Sequence, residues 1–435
     1  MKKLFVILLS AILLAGISTK VSAADIDREH TLKIYNWADY IDEDLLDEFK
    51  VWYKEQTGED VEIIYQLFDI NEVMLTKIEK GHEDYDLACP SEYIIERMLR
   101  KNLLMPISHN FGNTPDYTAC IAPYFQNLIN EFSSEDRKGS DYAVGYMWGT
   151  TGLLYNTEFV TEEEASTWGT VWNPKYRNRI LMKDAFRDVY GSMMMYIRKN
   201  EIDSGLVTRP QVMNDMSEKY LKIFEDTIAA AKENITGWEV DLGKERMAQG
   251  KDWINVTWSG DAMWAIDEVS DEVELDYRVP DEGSNIWFDG WVIPRYARNI
   301  RAASYFINYM CMPENALRNM DAIGYVSVVG GPEIMEAKTD ESYPPIDLTY
   351  FFGPEADSIC INSIQYPSAQ TISRCALMHD TGDRAEAMID MWSRVKGDSL
   401  HAGTLIISGT VLLAIIIAVI AGRKKKKTKR HSVRR

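Results

Sequence analysis

The chain has 435 residues, a formal net charge of −20 and 46% hydrophobic residues, and a chain of this length is typical of two domains rather than one. Twelve of the 47 basic residues lie in the first 23 and last 13 positions, which hold none of the 67 acidic residues, so the segment 24–422 carries a net charge of −32. A body this acidic excludes a general binder of nucleic acid and concentrates cations around itself.

The first 23 residues have the three parts of an export signal. Lys2 and Lys3 precede an apolar run at residues 4–17, and the small residues 21–24 are typical of a cleavage site. We therefore expect residues 1–23 to be a signal peptide and the body of the protein to be exported.

The start of the mature chain predicts alternating strands and helices. Three strands and three helices are predicted, in chain order at residues 32–36, 45–53, 61–65, 71–80, 85–89 and 94–99. Because the connections between them are short, this alternation predicts a doubly wound sheet of parallel strands.

Three short stretches place aromatic rings beside carboxylates. They are Trp37-Ala38-Asp39-Tyr40, Trp258-Ser259-Gly260-Asp261 and Trp287-Phe288-Asp289-Gly290-Trp291. Rings attract an ammonium group by about 0.5–2 kcal/mol per contact, and carboxylates accept its protons. If the stretches converge, they form a site for a small organic cation. The alternative for any single stretch is a tryptophan in the core beside an acid in a loop.

The direction of the predicted sheet favours a ligand role for two of the stretches. Ligands of open α/β sheets bind beyond the carboxyl ends of the strands. The first aromatic stretch and the segment Ser91-Glu92-Tyr93 both follow such ends.

The middle of the chain, residues 145–290, continues the alternation of strands and helices. A strand is predicted at residues 179–183, helices at 184–190 and 211–232, and a strand at 253–257 that leads into Trp258. The sequence contains no internal repeat and no long Pro/Gly/Ser linker before residue 402. Lobe boundaries are therefore expected where the chain crosses between lobes rather than at a flexible joint.

The C-terminal end predicts a membrane anchor. Residues 402–422 contain no charge and are rich in Leu, Ile, Val and Ala, and their number is about that needed to cross a bilayer. A basic cluster follows directly, which predicts a cytoplasmic tail at residues 423–435. We therefore expect a transmembrane helix at residues 402–422 that holds the body on the extracytoplasmic face, in a periplasm or at the cell surface.

The cysteines and histidines do not have the spacing of metal ligands. We therefore expect neither a metal nor a cofactor. Export would allow a disulfide between Cys360 and Cys375.

Six stretches stand in the same order as in one known family. They are residues 32–40 (LKIYNWADY), 85–93 (YDLACPSEY), 147–152 (MWGTTG), 258–261 (WSGD), 286–289 (IWFD) and 323–325 (IGY). On these stretches the chain resembles the polyamine-binding proteins, the spermidine/putrescine receptors of bacterial ABC importers. The resemblance extends over residues 30–395.

The resemblance implies a two-lobed α/β periplasmic-binding-protein fold, with doubly wound sheets, a hinge and a ligand in the cleft. With the C-terminal transmembrane helix, this is the predicted fold class. Lobe 1 would comprise residues 29–146 and 292–335, and lobe 2 residues 147–291 and 336–398.

The resemblance also implies a set of ligand-binding residues. Carried over position by position, they are Trp37, Asp39, Tyr40, Ser91, Tyr93, Asp188, Trp258, Asp261, Trp287, Asp289 and Tyr325. Trp258 and Trp287 would sandwich the methylene chain, and Asp289 would take an ammonium group. Asp188 stands where the family has a glutamate, so its shorter side chain would contact the ligand through water or shift the register.

The implied function is capture of a polyamine by cleft closure and its delivery to an ABC permease driven by an ATPase, without enzymatic activity. Spermidine-preferring members of the family carry a second acid at the position of Ala185 and a glutamine near Met378. Putrescine-preferring members have alanine at the first position and an acid at that of Asp261, as this chain does. A putrescine-type diamine is therefore the expected ligand, with spermidine as the alternative.

Two other functions are alternatives on the sequence. A receptor of the same fold for an amino acid or opine would need a positive partner for the ligand carboxylate, and Arg187 is the candidate. An exported hydrolase is a second alternative, because a retaining glycosidase needs only two carboxylates about 5 Å apart. Against it, the sequence has no G-x-S-x-G elbow, and its prominent acids flank rings that suit cations.

Overall fold

The computed structural model describes residues 27–270 and 272–397. The predicted signal peptide at residues 1–23 and the predicted helix and tail at residues 402–435 lie outside this range. Within it, the strands β1 to β13 are, in chain order, Thr31–Trp37, Glu62–Phe68, Leu87–Ala88, Leu104–Met105, Ala143–Asn156, Ile180–Lys183, Ile235–Glu239, Ile254–Trp258, Leu275–Arg278, Ile286–Pro294, Val326–Ser327, Pro345–Ile346 and Ile359–Cys360.

The α-helices of the same range are numbered α1 to α17. In chain order they are Asp44–Thr57, Asn71–Glu79, Glu92–Arg100, Pro123–Glu131, Glu162–Ala165, Phe186–Ile197, Lys199–Asp203, Arg209–Asn214, Glu218–Ala229, Leu242–Ala248, Ser259–Asp267, Ile300–Met310, Pro313–Ile323, Pro332–Lys338, Thr349–Phe352, Ala369–Ile372 and Ala385–Gly397.

The predicted fold class is corrected in one respect, the C-terminal transmembrane helix. Among the residues that the structure describes, no helix is long and apolar enough to cross a membrane. The longest of them, α1, has 14 residues, whereas a span needs about 20 mostly apolar residues. The two-lobed α/β part of the predicted class is retained, and the fold is described without a membrane helix.

The chain forms two compact units. The first unit comprises the described residues up to Tyr146 together with Asp289–Ala322, and the second comprises Met147–Phe288 and the described residues from Ile323 onward. The chain passes from one unit to the other within β5, again within β10 and a third time at the end of α13, between Ala322 and Ile323. The lobe limits implied by the family resemblance place the second crossing before residue 292 rather than before Asp289 and the third before residue 336 rather than before Ile323, and they stay predictions.

The sheet of the first unit has the parallel order predicted from the sequence. Strand β1 pairs in parallel with β2, from Thr31 opposite Glu62 to Trp37 opposite Phe68, and on its other side with β3. Strand β10 then adds antiparallel to β3, where Val292 lies opposite Ala88. The carboxyl ends of β1 and β3 therefore meet at one edge of the sheet.

The second unit contains a mixed sheet in the order β5-β8-β6-β7. Strand β6 is parallel to β7 and β8, whereas β5 is antiparallel to β8, β9 and β11. The helix predicted over residues 211–232 is two helices, α8 and α9. They are separated because Asp215 leaves the helical conformation, with ψ 88°, and its carboxylate accepts the backbone N–H of Ser217 at 3.2 Å.

The crossing strands are buried along their whole length. All fourteen residues of β5 and all nine of β10 are buried, and such strands give near-continuous apolar runs in sheets covered on both faces. A charged residue in β10, such as Asp289, must find its partners inside the protein.

Cys360 and Cys375 are both free thiols, so the disulfide that export would allow is not formed.

Candidate functional site

The buried carboxylate of Asp289 is the centre of the site in the first unit. Its side chain lies in β10, and the residue is 5% exposed. The Tyr40 hydroxyl donates to Oδ2 at 2.8 Å and the Ser91 hydroxyl donates to Oδ1 at 2.7 Å. Each oxygen therefore has a donor, and the two hydroxyls fix the direction in which the carboxylate points.

The donors to Asp289 are themselves held by the fold. Ser91 is the residue before α3, and its backbone forms an isolated antiparallel bridge with Asp289. The Asn71 amide donates to the Ser91 hydroxyl at 2.9 Å and to the Tyr93 hydroxyl at 3.1 Å. The Tyr146 hydroxyl donates to the backbone carbonyl of Tyr40 at 2.6 Å. These contacts bring Tyr40, Ser91 and Tyr93 into one hydrogen-bond network around Asp289.

The other two predicted residues of the first unit, Trp37 and Asp39, lie at the end of β1. The indole N–H of Trp37 donates to the carbonyl of Cys89 at 2.9 Å, and the ring packs 4.4 Å from that of Phe68. Asp39 is exposed and has a positive φ of 48°, a conformation that few residues other than glycine adopt. Ligand contacts of Trp37 and Asp39 stay predictions.

The second unit holds another buried carboxylate, that of Asp188 in the first turn of α6. It accepts hydrogen bonds from the Asn285 amide at 2.8 Å, the Trp258 indole at 3.1 Å and the Thr151 hydroxyl at 3.4 Å. All three donors contact Oδ1. Burial raises the pKa of Asp188, although the bonds from Asn285 and Trp258 and the charge of Arg187 offset part of the rise.

Three aromatic rings of the second unit are in contact. The Trp287 ring lies 6.3 Å from that of Trp258, with 65° between their planes, and 5.7 Å from that of Tyr325. The Tyr325 ring packs directly against Gly260. A larger residue there would clash with the ring, because a Cβ on Gly260 would lie 2.3 Å from it. Trp258 is partly exposed, whereas Trp287 and Tyr325 are buried. The rings form an apolar surface beside the Trp258 indole that holds Asp188.

Asp261 is paired with a buried lysine. The ammonium of Lys183 lies 2.5 Å from Asp261 Oδ2 and 3.3 Å from Glu239 Oε1, and the Tyr325 hydroxyl donates to Asp261 Oδ1 at 2.7 Å. Lys183 is fully buried. Burial alone lowers the pKa of Lys183, but Asp261 and Glu239 outweigh it and hold the pKa above its usual value. Asp261 is thus already paired with a cation that belongs to the protein itself, the Lys183 ammonium.

Sequence reasoning missed several residues of these networks. Asn71 holds the Ser91 hydroxyl that donates to Asp289, and Asn285 donates directly to Asp188. Lys183 pairs with both Asp261 and Glu239. Asn71 had one visible signal, since it begins a helix at the edge where the strands end. Lys183 had none, because a lysine at the end of a short strand is usually solvated.

Comparisons with known proteins place the chain among transport receptors. Residues 45–331 match the family described as bacterial extracellular solute-binding protein. The spermidine/putrescine-binding periplasmic protein of Salmonella typhimurium is 27% identical over 379 residues, which cover 86% of this chain and 94% of the relative. The putrescine-binding periplasmic protein PotF of Escherichia coli is 25% identical over 354 residues, which cover 77% and 89%.

A solved structure agrees with these relatives. The spermidine/putrescine ABC transporter substrate-binding protein PotD from Streptococcus pneumoniae is 31% identical, covers 84% of this chain and 98% of its own, and has a TM-score of 0.60. The resemblance stated from six short stretches of sequence is therefore confirmed.

Proposed function

The chain belongs to the family of bacterial extracellular solute-binding proteins, and from this membership we propose that it is an extracytoplasmic receptor for polyamines. It binds a putrescine-type diamine in preference to spermidine and delivers it to the permease of an ABC importer and its ATPase. The relatives described above are spermidine/putrescine-binding and putrescine-binding proteins. The proposed action is capture of the ligand without a chemical reaction.

The observation that carries this proposal is the pair of buried carboxylates, Asp289 and Asp188. Their described hydrogen bonds come from hydroxyl, amide and indole groups, which orient a carboxylate without cancelling its charge. Each can therefore pair with an ammonium group in a charge-assisted hydrogen bond. Trp258 and Trp287 supply apolar surface for the methylene groups.

The charge count supports a diamine over a triamine. Asp261, the second of the two acids among the predicted ligand-binding residues of the second unit, is paired with Lys183. Ala185 stands at the N-cap of α6 and brings no carboxylate. Among these positions of the second unit, Asp188 is therefore the acid assigned to a ligand ammonium, and neither Asp261 nor Ala185 offers a partner for an additional one.

The function is tested by a thermal-shift screen followed by calorimetry on the purified protein. The ligands are putrescine, cadaverine, spermidine, spermine, agmatine and, for the alternative receptor, arginine and an opine. A ligand at about 100 times its Kd stabilises the native state by about 2.7 kcal/mol, so we expect putrescine to raise the melting temperature clearly. Spermidine binding about ten-fold tighter than putrescine, or about 1.4 kcal/mol, would contradict the diamine preference.

The amino-acid or opine receptor depends on Arg187. That residue is buried, and its guanidinium donates to the Asn214 side chain at 3.0 Å, a contact within the fold. A stability response to an opine with none to any amine would replace our proposal by this alternative.

The raised pKa of Asp188 predicts how affinity depends on pH. Because burial raises the pKa of Asp188, this carboxyl takes up its proton at a pH at which an ordinary aspartate is still charged. We expect putrescine affinity to fall as pH is lowered from about 7 to about 4. Calorimetry across this range measures it, with Asp188→Asn as the control, whose weaker binding should vary less with pH. A wild-type profile as flat as that of the variant would contradict the assignment.

The raised pKa of Asp188 also affects the stability of the unliganded protein, and this effect depends on pH in the direction opposite to the effect on affinity. A folded-state pKa above the unfolded value means that the native state holds this proton more tightly. The contribution of Asp188 to stability is therefore fully present below the unfolded pKa and is lost as pH rises through the raised one. Ligand binding, which favours the charged carboxylate, compensates for this loss near neutral pH.

A further inference from the structure

Lys183 has the surroundings expected of a bound amine. Its ammonium lies 4.2 Å from the centroid of the Trp258 ring, and Asp261 and Glu239 accept its protons. The backbone carbonyl of Val240 accepts another. An ammonium over a tryptophan face with carboxylates around it is the arrangement by which proteins bind organic cations.

The same Trp258 ring connects Lys183 to the candidate ligand site. Its indole N–H donates to Asp188, the acid that we assign to a ligand amine, and its ring contacts that of Trp287. Lys183 and the proposed ligand therefore share one aromatic side chain. Unlike a ligand amine, the Lys183 ammonium is covalently attached to the protein, through β6.

Both oxygens of Asp261 are engaged. Oδ2 accepts from Lys183, and Oδ1 accepts from the Tyr325 hydroxyl. An added ammonium at Oδ2 would compete with Lys183, and displacing the lysine would leave its charge buried without this partner at a large cost. In the wild-type protein, the Asp261 carboxylate is therefore already paired with Lys183.

We propose that Lys183 is a built-in ammonium group that occupies one amine position of the binding site and so limits the ligand to two charges. This inference rests on the polyamine receptor function proposed above and adds the residue that sets the charge of the ligand. The competing explanation is an ion pair that serves stability alone. It predicts a loss of stability on mutation without any change in preference between ligands.

Two double variants separate these explanations. Lys183→Met with Glu239→Gln and Lys183→Met with Asp261→Asn each remove one cation and one anion, so the net charge of the cluster is that of the wild type. Only the first leaves the Asp261 carboxylate in place with no lysine beside it. Because the charge balance is kept, neither leaves the surplus buried charge that Lys183→Met alone would create.

The quantity to measure is the ratio of spermidine affinity to putrescine affinity, by calorimetry. We expect the Lys183→Met/Glu239→Gln protein to raise this ratio by about ten-fold or more, equivalent to about 1.4 kcal/mol, because the third ammonium takes the place of Lys183. The Lys183→Met/Asp261→Asn protein should keep the wild-type ratio within about three-fold. An equal ratio in the two variants overturns the proposal, while putrescine binding by the wild type leaves the receptor function standing.

A second measurement does not depend on polyamine binding. In Lys183→Ala, n-propylammonium has the size and charge of the missing part of the side chain. We expect n-propylammonium chloride to raise the melting temperature of this variant more than that of the wild type, and n-propanol to have no such effect. If the wild type binds no polyamine, the receptor function fails on its own. If n-propylammonium does not raise the melting temperature of this variant more than that of the wild type, the proposed ammonium position itself is wrong.

Discussion

Replacing Asp289 by Asn is expected to weaken putrescine binding by about 30-fold or more, because truncating one partner of a buried charge pair costs about 2–5 kcal/mol. The asparagine has the same shape, its oxygen can still accept from one of the Tyr40 and Ser91 hydroxyls, and its amide N–H can donate to the oxygen of the other. What it lacks is the negative charge that an ammonium group needs in a buried position. Calorimetry gives the affinity, and thermal unfolding checks that the fold is intact.

The matched control is Asp47→Asn. Asp47 lies on α1 in the same unit, with 82% of its side chain exposed, and pairs with Lys50 on the surface. Surface pairs of this kind contribute about 0–1 kcal/mol, so both affinity and stability should stay near those of the wild type. If Asp289→Asn behaves like this control, Asp289 is not part of the binding site.

Trp258→Ala is expected to reduce putrescine affinity by a similar factor, about 30-fold, because tryptophans that anchor a binding site contribute about 2 kcal/mol or more. The substitution removes the ring surface beside Trp287, the N–H donor to Asp188 and the face on which Lys183 lies. The loss should therefore exceed that of Trp258→Phe, which keeps a ring but has no N–H. Calorimetry of the two variants gives the difference.

The control for Trp258 is another partly buried tryptophan of the second unit. Trp172 donates to the carbonyl of Thr227 at 2.9 Å and stacks on Tyr196 at 5.2 Å. Trp172→Ala should lower the melting temperature and leave putrescine affinity unchanged. If Trp258→Ala gives the same result, Trp258 is a core residue and the aromatic wall must be assigned to other rings.

The sequence predicted the elements well where local patterns decide the structure. The strands at residues 32–36, 61–65 and 253–257 and the helix over 71–80 were visible because their apolar residues recur at the period of the element. The helix over 211–232 was predicted as continuous, since nothing in its periodicity shows that the Asp215 side chain bonds to the backbone of Ser217. Asp215 also accepts hydrogen bonds from Arg198 and Tyr190, contacts with distant residues that periodicity does not show.

The site was harder to predict because its contacts join distant parts of the chain. Lys183 and Asp261 are 78 positions apart, and Ser91 and Asp289 are 198 apart. The family resemblance predicted both Ser91 and Asp289 as ligand-binding residues. Of the other pair it predicted Asp261 but not Lys183. Burial of a lysine on a strand that is covered on both faces follows from the packing of the whole unit, and an isolated strand sequence carries no signal of it.

Strand β10 has a consequence for protein engineering. Trp287 belongs to the second unit and Asp289 to the first, yet they are two residues apart on one strand and so point to the same side of the sheet. A chimaera that exchanged whole units with a relative would place its junction between these two side chains. Grafting the strand from Ile286 to Pro294 as one piece preserves their spacing, whereas a one-residue error at the junction would turn one of them to the opposite face.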